Sequence, residues 1–317
     1  MTPDYGVEDI LRVAGPGAQV LGDDAARFRR AAPAGDADID SLTWIRPTHP
    51  DRQRLLDETA AGVVLCDESV DPSPAVSSGK TVIVVANPKV VFSRTVAALF
   101  VSEPAWGIHP SAVLHEEAEI ADGVSIGPNC SVGRAQIGEG TVIHGNCLVY
   151  DGVRLGRNVT IHAGTVLGGD GFGYERDETG EVEKFPHVGA VIVEDEVEIH
   201  SCTAVDRGSL KDTRIRRGAK IDNLVHIAHN ADIGEGSFVI AHAMVGGSVK
   251  IGKNCWIGPG AVIRDNLEIG DDAFVGIGAL VVKDVPPGAV HMGSPARDAD
   301  EYKALLQSFR ELLAARA

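Results

Sequence analysis

One spacing constrains this chain more than any other feature. From Ile215 an Ile or Val stands at every sixth position, through 221, 227, 233, 239, 245, 251, 257, 263, 269 and 275 to 281, twelve aliphatic residues in an unbroken series. The same spacing runs earlier through Ile108, Leu114, Ile120, Ile126 and Val132, skips one residue, and resumes at Ile137, Ile143, Val149, Leu155, Ile161 and Leu167. It returns at Val193, Ile199 and Val205. A helix repeats at about 3.6 residues and a strand at about 2, so neither alone carries this period. It fits a solenoid in which each short strand and its turn form one side of a coil. Three sides give a coil of eighteen residues, and successive coils stack at about 4.8 Å, the inter-strand spacing. The periodic residue points inward. The glycine that often follows it (Gly127, Gly156, Gly234, Gly252, Gly258, Gly270) is expected to supply an unusual backbone angle at the corner. Four positions after the periodic residue comes a second inward slot, small in size, which holds Cys130, Cys147 and Cys255. Buried there, these cysteines behave as small apolar residues.

Two interruptions break the series. Residues 168–192, GGDGFGY onward, are too polar and glycine-rich to continue the wall and are expected to project as a loop. Between Val205 and Ile215 the spacing is ten, four residues too many. Loops extruded from a rigid scaffold are common places for binding. Residues 1–105 carry no such series. Helices are expected at Val7–Ala14, Arg52–Ala61 and Lys89–Phe100, and buried strands at Val63–Cys66 and Thr81–Val85. That alternation predicts a small α/β domain, with Asp67–Lys80 as a loop. The solenoid then spans 106–288. A C-terminal extension, 289–317, carries a helical apolar stripe: Tyr302, Leu305, Leu306, Phe309, Leu312 and Leu313.

Composition excludes several functions. The net charge of −16 makes nucleic-acid or anionic-membrane binding a poor fit, since phosphate attraction needs clustered Lys and Arg. No run of eighteen apolar residues occurs, so no transmembrane helix is expected. The start, MTPDYGVEDI, has neither a basic region nor an apolar stretch, so no signal peptide is expected and a cytoplasmic location follows. Five cysteines without a CxxC give no disulfide framework or structural zinc motif.

Three motifs, in order, are specific: DGFGY (170–174), VDRGSL (205–210) and IDNLVHIAHN (221–230). With them the chain resembles the UDP-3-O-acylglucosamine N-acyltransferases of lipid A synthesis over residues 36–297. The resemblance implies a left-handed parallel β-helix behind an N-terminal α/β domain that grips a nucleotide-sugar. It also implies a homotrimer with active sites between subunits. It further implies a phosphopantetheine thioester on acyl carrier protein as donor, with no permanently bound cofactor and no metal. His229 is then the general base, since a neutral imidazole can take the proton of an attacking amine. Gly247 lies eighteen residues on, one coil further along the same side, where its backbone N–H can meet an oxyanion. Asp222 and Asn223 are candidates to orient the imidazole or hold the sugar, and Trp44 is the candidate uracil platform. Lys283 and Arg297 are candidates for donor phosphates, and Leu280 and Val282 mark where acyl length is limited in the family.

The chain departs from the family at two places. A second histidine of the family is replaced by Asp265-Asn266, leaving Asn266 as a neutral hydrogen-bonder. The family's Asn-Pro-Lys-Tyr is Pro47-Thr48-His49-Pro50. Other readings are a transferase of the same acceptor class using short acyl-CoA, a non-catalytic assembly module, and a zinc enzyme of the carbonic-anhydrase type. The last draws on His144 and His162, eighteen residues apart, but the spacing offers no third histidine in register.

Overall fold

The computed structural model describes residues 4–101, 107–293 and 299–314. They fall in two units, Met1–Glu103 and Pro104–Ala317. In the first, a five-stranded sheet runs in the order Gln19–Leu21, Thr81–Val84, Val63–Cys66, Ser41–Trp44, Arg30–Ala31. Only Gln19–Leu21 is antiparallel. The strand VVLC is apolar throughout because both faces are covered. Val63 and Leu65 pack with Ile10, Leu42 and Val91, while Val64 and Cys66 pack with Leu56 and Ala75 on the other side. Asn87 caps the helix Pro88–Phe100, its side chain accepting from Val90 N–H, with proline in the first turn. Two expectations change. The helix from Arg52 ends at Glu58, where Thr59 turns its hydroxyl to the Ala34 carbonyl. The stretch 67–80 is not all loop, because Pro74 seeds a short helix, Ser73–Ser77.

The second unit is a parallel β-solenoid of three sheets with nine, nine and eight strands. Register follows the periodic residues: Ile143, Ile161, Ile199, Ile221, Val239, Ile257 and Val275 form one inward column. All are fully buried. The second inward slot does more than fill space. Cys130, Cys147, Thr165 and Thr203 each donate to the carbonyl of a corner residue one coil on: His144, His162, His200 and Asp222. Small side chains with a donor therefore peg these four corners to the next coil.

The glycines after the periodic residue have a different cause from the one expected. None of those six has a positive φ. A Cβ on Gly127 would stand 2.6 Å from the Gly145 nitrogen, so the close approach of the neighbouring coil excludes a side chain. The left-handed corner lies three positions after the periodic residue. It is filled by glycine, as at Gly140 and Gly260, or by other residues, among them Asn129, Asn146, Leu224, Asn230 and Asn266.

The periodic residues stay in register across both interruptions. Leu155 pairs with Val193 and Leu167 with Val205 across the first, with a bulge at Leu167/Gly169 where the loop leaves, and Val193 pairs with Ile215 and Val205 with Ile227 across the second. The loop 168–192 projects, and it is ordered: Tyr174–Arg176 and Val182–Lys184 form an exposed antiparallel hairpin. Its turn is closed by Asp177, whose carboxylate accepts from Thr179 and from Glu181 N–H. A C-terminal helix spans Ala299–Ala314 and leaves Leu305, Leu306 and Phe309 of the apolar stripe exposed in the single chain.

Candidate active site

The two insertions meet and build a wall around His229. Val188 N–H donates to the Ser209 carbonyl and Gly189 N–H to that of Gly208. Arg207 fastens the junction through the Gly189 and Asp151 carbonyls, at 3.0 and 2.7 Å. The four extra residues after Val205 thus place Ser209, whose N–H donates to Asn230 Oδ1 at 2.9 Å. A backbone N–H can only donate, so that end of the amide is oxygen and the other end, Nδ2, faces His229. Nδ2 lies 3.0 Å from His229 Nδ1 and donates to it. The resting neutral ring therefore carries its proton on Nε2. Asn230 stands at the left-handed corner, with its own N–H held by Thr213 Oγ1 at 2.9 Å.

Gly247 closes the other side. A Cβ there would lie 2.8 Å from His229 Cε1 and 3.0 Å from Nε2, so the bare backbone is what leaves room for the imidazole. Among the described residues the Gly247 N–H has no acceptor, while its carbonyl takes Asn266 N–H at 2.8 Å. Gly171 of DGFGY covers the third side, its would-be Cβ 2.9 Å from His229 Cδ2. His187 stands edge-to-face to His229, ring centres 5.2 Å apart at 70°. Its Nδ1–H donates to the Phe185 carbonyl at 3.1 Å, which leaves an Nε2 lone pair, buried and without a hydrogen-bond partner among the described residues. Motif spacing passes over His187, because it reaches the site only where the projecting loop returns.

Burial lowers the pKa of the half-buried His229 below the ordinary histidine value. Repulsion from His187 and His226 adds to this, and Asp265 opposes it. Asp206, 3.6 Å from His226, is raised by burial, with His226 and His187 pulling the other way. Phe172, almost fully exposed, and Tyr174 pack edge-to-face at 5.0 Å at the base of the hairpin.

The other sequence candidates lie apart from His229. Asp222 and Asn223 are at the preceding corner. Asp222 accepts from Asn223 and from Ala241 N–H, and Asn223 accepts from Ser201 N–H. Neither bonds to His229 within the chain, and Asn230 holds the ring instead. Asn266 occupies a left-handed corner, its amide turned to Asp265. Trp44 is half-buried in the first unit, its ring 6.4 Å from Phe92. Lys283 is exposed, as are Leu280 and Val282 on either side of the inward Val281. Arg297 lies outside the described residues. The spacing offered no third histidine beside His144 and His162, yet His200 joins their column. The inserted loop lies outside the coil, so Thr160–Ile161 pairs with Glu198–Ile199 directly.

The model of the bacterial transferase hexapeptide (six repeats) family matches residues 134–169 and 248–283. UDP-3-O-acylglucosamine N-acyltransferase 1 of Gloeobacter violaceus is 40% identical, covering 89% of this chain and 85% of that protein. The UDP-3-O-acylglucosamine N-acyltransferase of Anaeromyxobacter dehalogenans is 35% identical over 74% and 72%. Among solved structures, LpxA from Acinetobacter baumannii superposes with a TM-score of 0.55 at 26% identity, covering 60% of this chain and 72% of that one. Repeats, motifs and relatives agree, and the chain belongs to the UDP-3-O-acylglucosamine N-acyltransferase family and is an acyltransferase.

Proposed function

We propose that the chain moves an acyl group from the phosphopantetheine thioester of acyl carrier protein to the amine of UDP-3-O-acylglucosamine, in lipid A synthesis, with His229 as general base. The observation that carries this reading is the half-buried His229 imidazole packed against Gly247, whose N–H has no acceptor among the described residues. The amine nitrogen attacks the thioester carbon, the C–N bond forms, and the carbonyl oxygen takes up charge beside that N–H. The C–S bond then breaks. The proton passes from nitrogen to His229 and on to the leaving sulfur. No covalent enzyme intermediate is needed.

To accept at Nε2, the ring must carry its proton on Nδ1. The Asn230 amide turns over for this, bringing Oδ1 to Nδ1–H and giving up the bond from Ser209 N–H. Ser209 Oγ lies 3.2 Å from Asn230 Oδ1 and 2.8 Å from Nδ2, so it can bond either end of the amide. Trp44 offers its half-buried face to the uracil ring. Asp222 and Asn223, which make no bond to His229 within the described chain, serve the site of a neighbouring copy in a homotrimer, with Asn266 touching substrate and Lys283 and Arg297 meeting donor phosphates.

The test supplies UDP-3-O-acylglucosamine with either hydroxyacyl carrier protein or acyl-CoA and reads product mass. Transfer from the carrier protein is expected, and transfer from acyl-CoA alone overturns the donor assignment. His229→Ala is expected to lower kcat by roughly 10²- to 10⁴-fold with the circular dichroism spectrum unchanged. Near-normal turnover in that variant removes the base assignment.

A further inference from the structure

We propose that His162, Glu198 and His200 form a binding site for one divalent transition-metal ion of the zinc or nickel class. This site sits at a different corner of the coil from His229, in the column that leads on to Asp222. Three imidazoles, His144, His162 and His200, stack up this corner. Their ring centres are 4.9 and 4.5 Å apart and nearly parallel, at 6° and 22°. Glu198 reaches into the column from the adjoining strand, with one oxygen 2.9 Å from His162 Nε2 and 3.4 Å from His200 Nε2. One donor atom from each of His162, Glu198 and His200 lies within 4.8 Å of the others.

The distances match a coordination sphere. Zinc binds imidazole nitrogen and carboxylate oxygen at about 2.0–2.2 Å. Two such ligands on one ion then stand about 3.0 Å apart in octahedral geometry and about 3.4 Å apart in tetrahedral geometry. The nitrogen–oxygen distances already have these values. An ion would replace the His162–Glu198 hydrogen bond, with the two stacked rings, whose donor atoms already lie within 4.8 Å, turning so that both nitrogens face it. The main chain is also fixed beforehand: His162 N–H donates to Ile199 and His200 N–H to Ile221, both at 2.8 Å. The carbonyls of the two histidines are pegged by Cys147 and Thr165. Only side-chain torsions remain to be set, which favours a preorganised site.

The electrostatics suit a cation. The Glu198 carboxylate lies within ion-pair reach of His162, His200 and Lys220. Lys220, at 3.9 Å, is the resident cation that an ion would displace. Two imidazoles and one carboxylate select a borderline transition ion over the hard ions calcium and magnesium, which take oxygen ligands. All three ligands are partly exposed, so the remaining positions are open to water.

The test is calorimetric titration of EDTA-dialysed, full-length protein at pH 7.5 with zinc and nickel chloride, and with magnesium and calcium chloride as controls. One zinc or nickel ion per chain is expected, with no saturable uptake of the hard ions. Binding is expected to disappear in His162→Ala and in His200→Ala and to persist in His229→Ala. Copper(II) bound to the unmodified protein is expected to show two nitrogen couplings by electron paramagnetic resonance, a readout that needs no variant to fold. No saturable zinc uptake, equal uptake of calcium, binding that survives both substitutions, or copper without two nitrogens each overturns the site.

Discussion

Ser209 governs what His229 can do through one backbone N–H. By fixing the Asn230 oxygen, it turns the amide nitrogen toward Nδ1 and leaves the resting imidazole with its proton on the face where a base is needed. An aspartate at position 230 can accept from both sides at once, from Ser209 N–H and from Nδ1–H. Asn230→Asp is therefore expected to keep or raise turnover and to raise the His229 pKa. The sign of the pH dependence follows. Transfer needs the neutral ring, and burial holds the pKa below the ordinary histidine value. The acid limb of kcat/KM should thus fall below about pH 6.5 in the natural protein, and move up in Asn230→Asp. A natural-protein limb above that value, or no upward movement in the variant, contradicts this account of the proton's position.

At the scale of strands and corners, the six-residue series made the solenoid, its inward columns and its second slot legible, because each follows from counting along an unbroken run. Counting stops at an insertion. His187 against His229, Ser209 against Asn230, and His200 above His162 all join residues across an insertion, so no spacing shows them. The corner glycines differ from the sequence expectation for a related reason. Periodicity shows where glycine falls, while the close approach of the neighbouring coil that requires it is a contact between coils. In the first unit, the strands Gln19–Leu21, Arg27–Phe28 and Arg30–Ala31 are too short to show alternation. One corner is open to improvement. Leu224, half-exposed, holds φ 59° where asparagine or glycine is usual. Leu224→Asn is expected to stabilise the chain by roughly 1 kcal/mol, read as a higher urea midpoint with an unchanged slope. A lower midpoint shows that the leucine's contacts outweigh its backbone strain.

Over the whole molecule, the coils carry their load through neighbours alone, as repeat architectures do. The small inward donors that peg one corner to the next are part of that continuity, and they determine how the protein meets a thiol reagent. Cys130, Cys147 and Cys255 are shut inside the coils, and Cys66 lies within the first unit, where burial pushes its thiol up to about 12. Cys202 alone is exposed, two residues beyond His200. Ellman's reagent should therefore find one fast thiol per native chain and all five after denaturation. More than one fast thiol in the native protein would mean that the coils open. A single fast thiol makes the natural sequence ready for one-site maleimide labelling, with a fluorophore or spin label beside the histidine column and no cysteine to remove first.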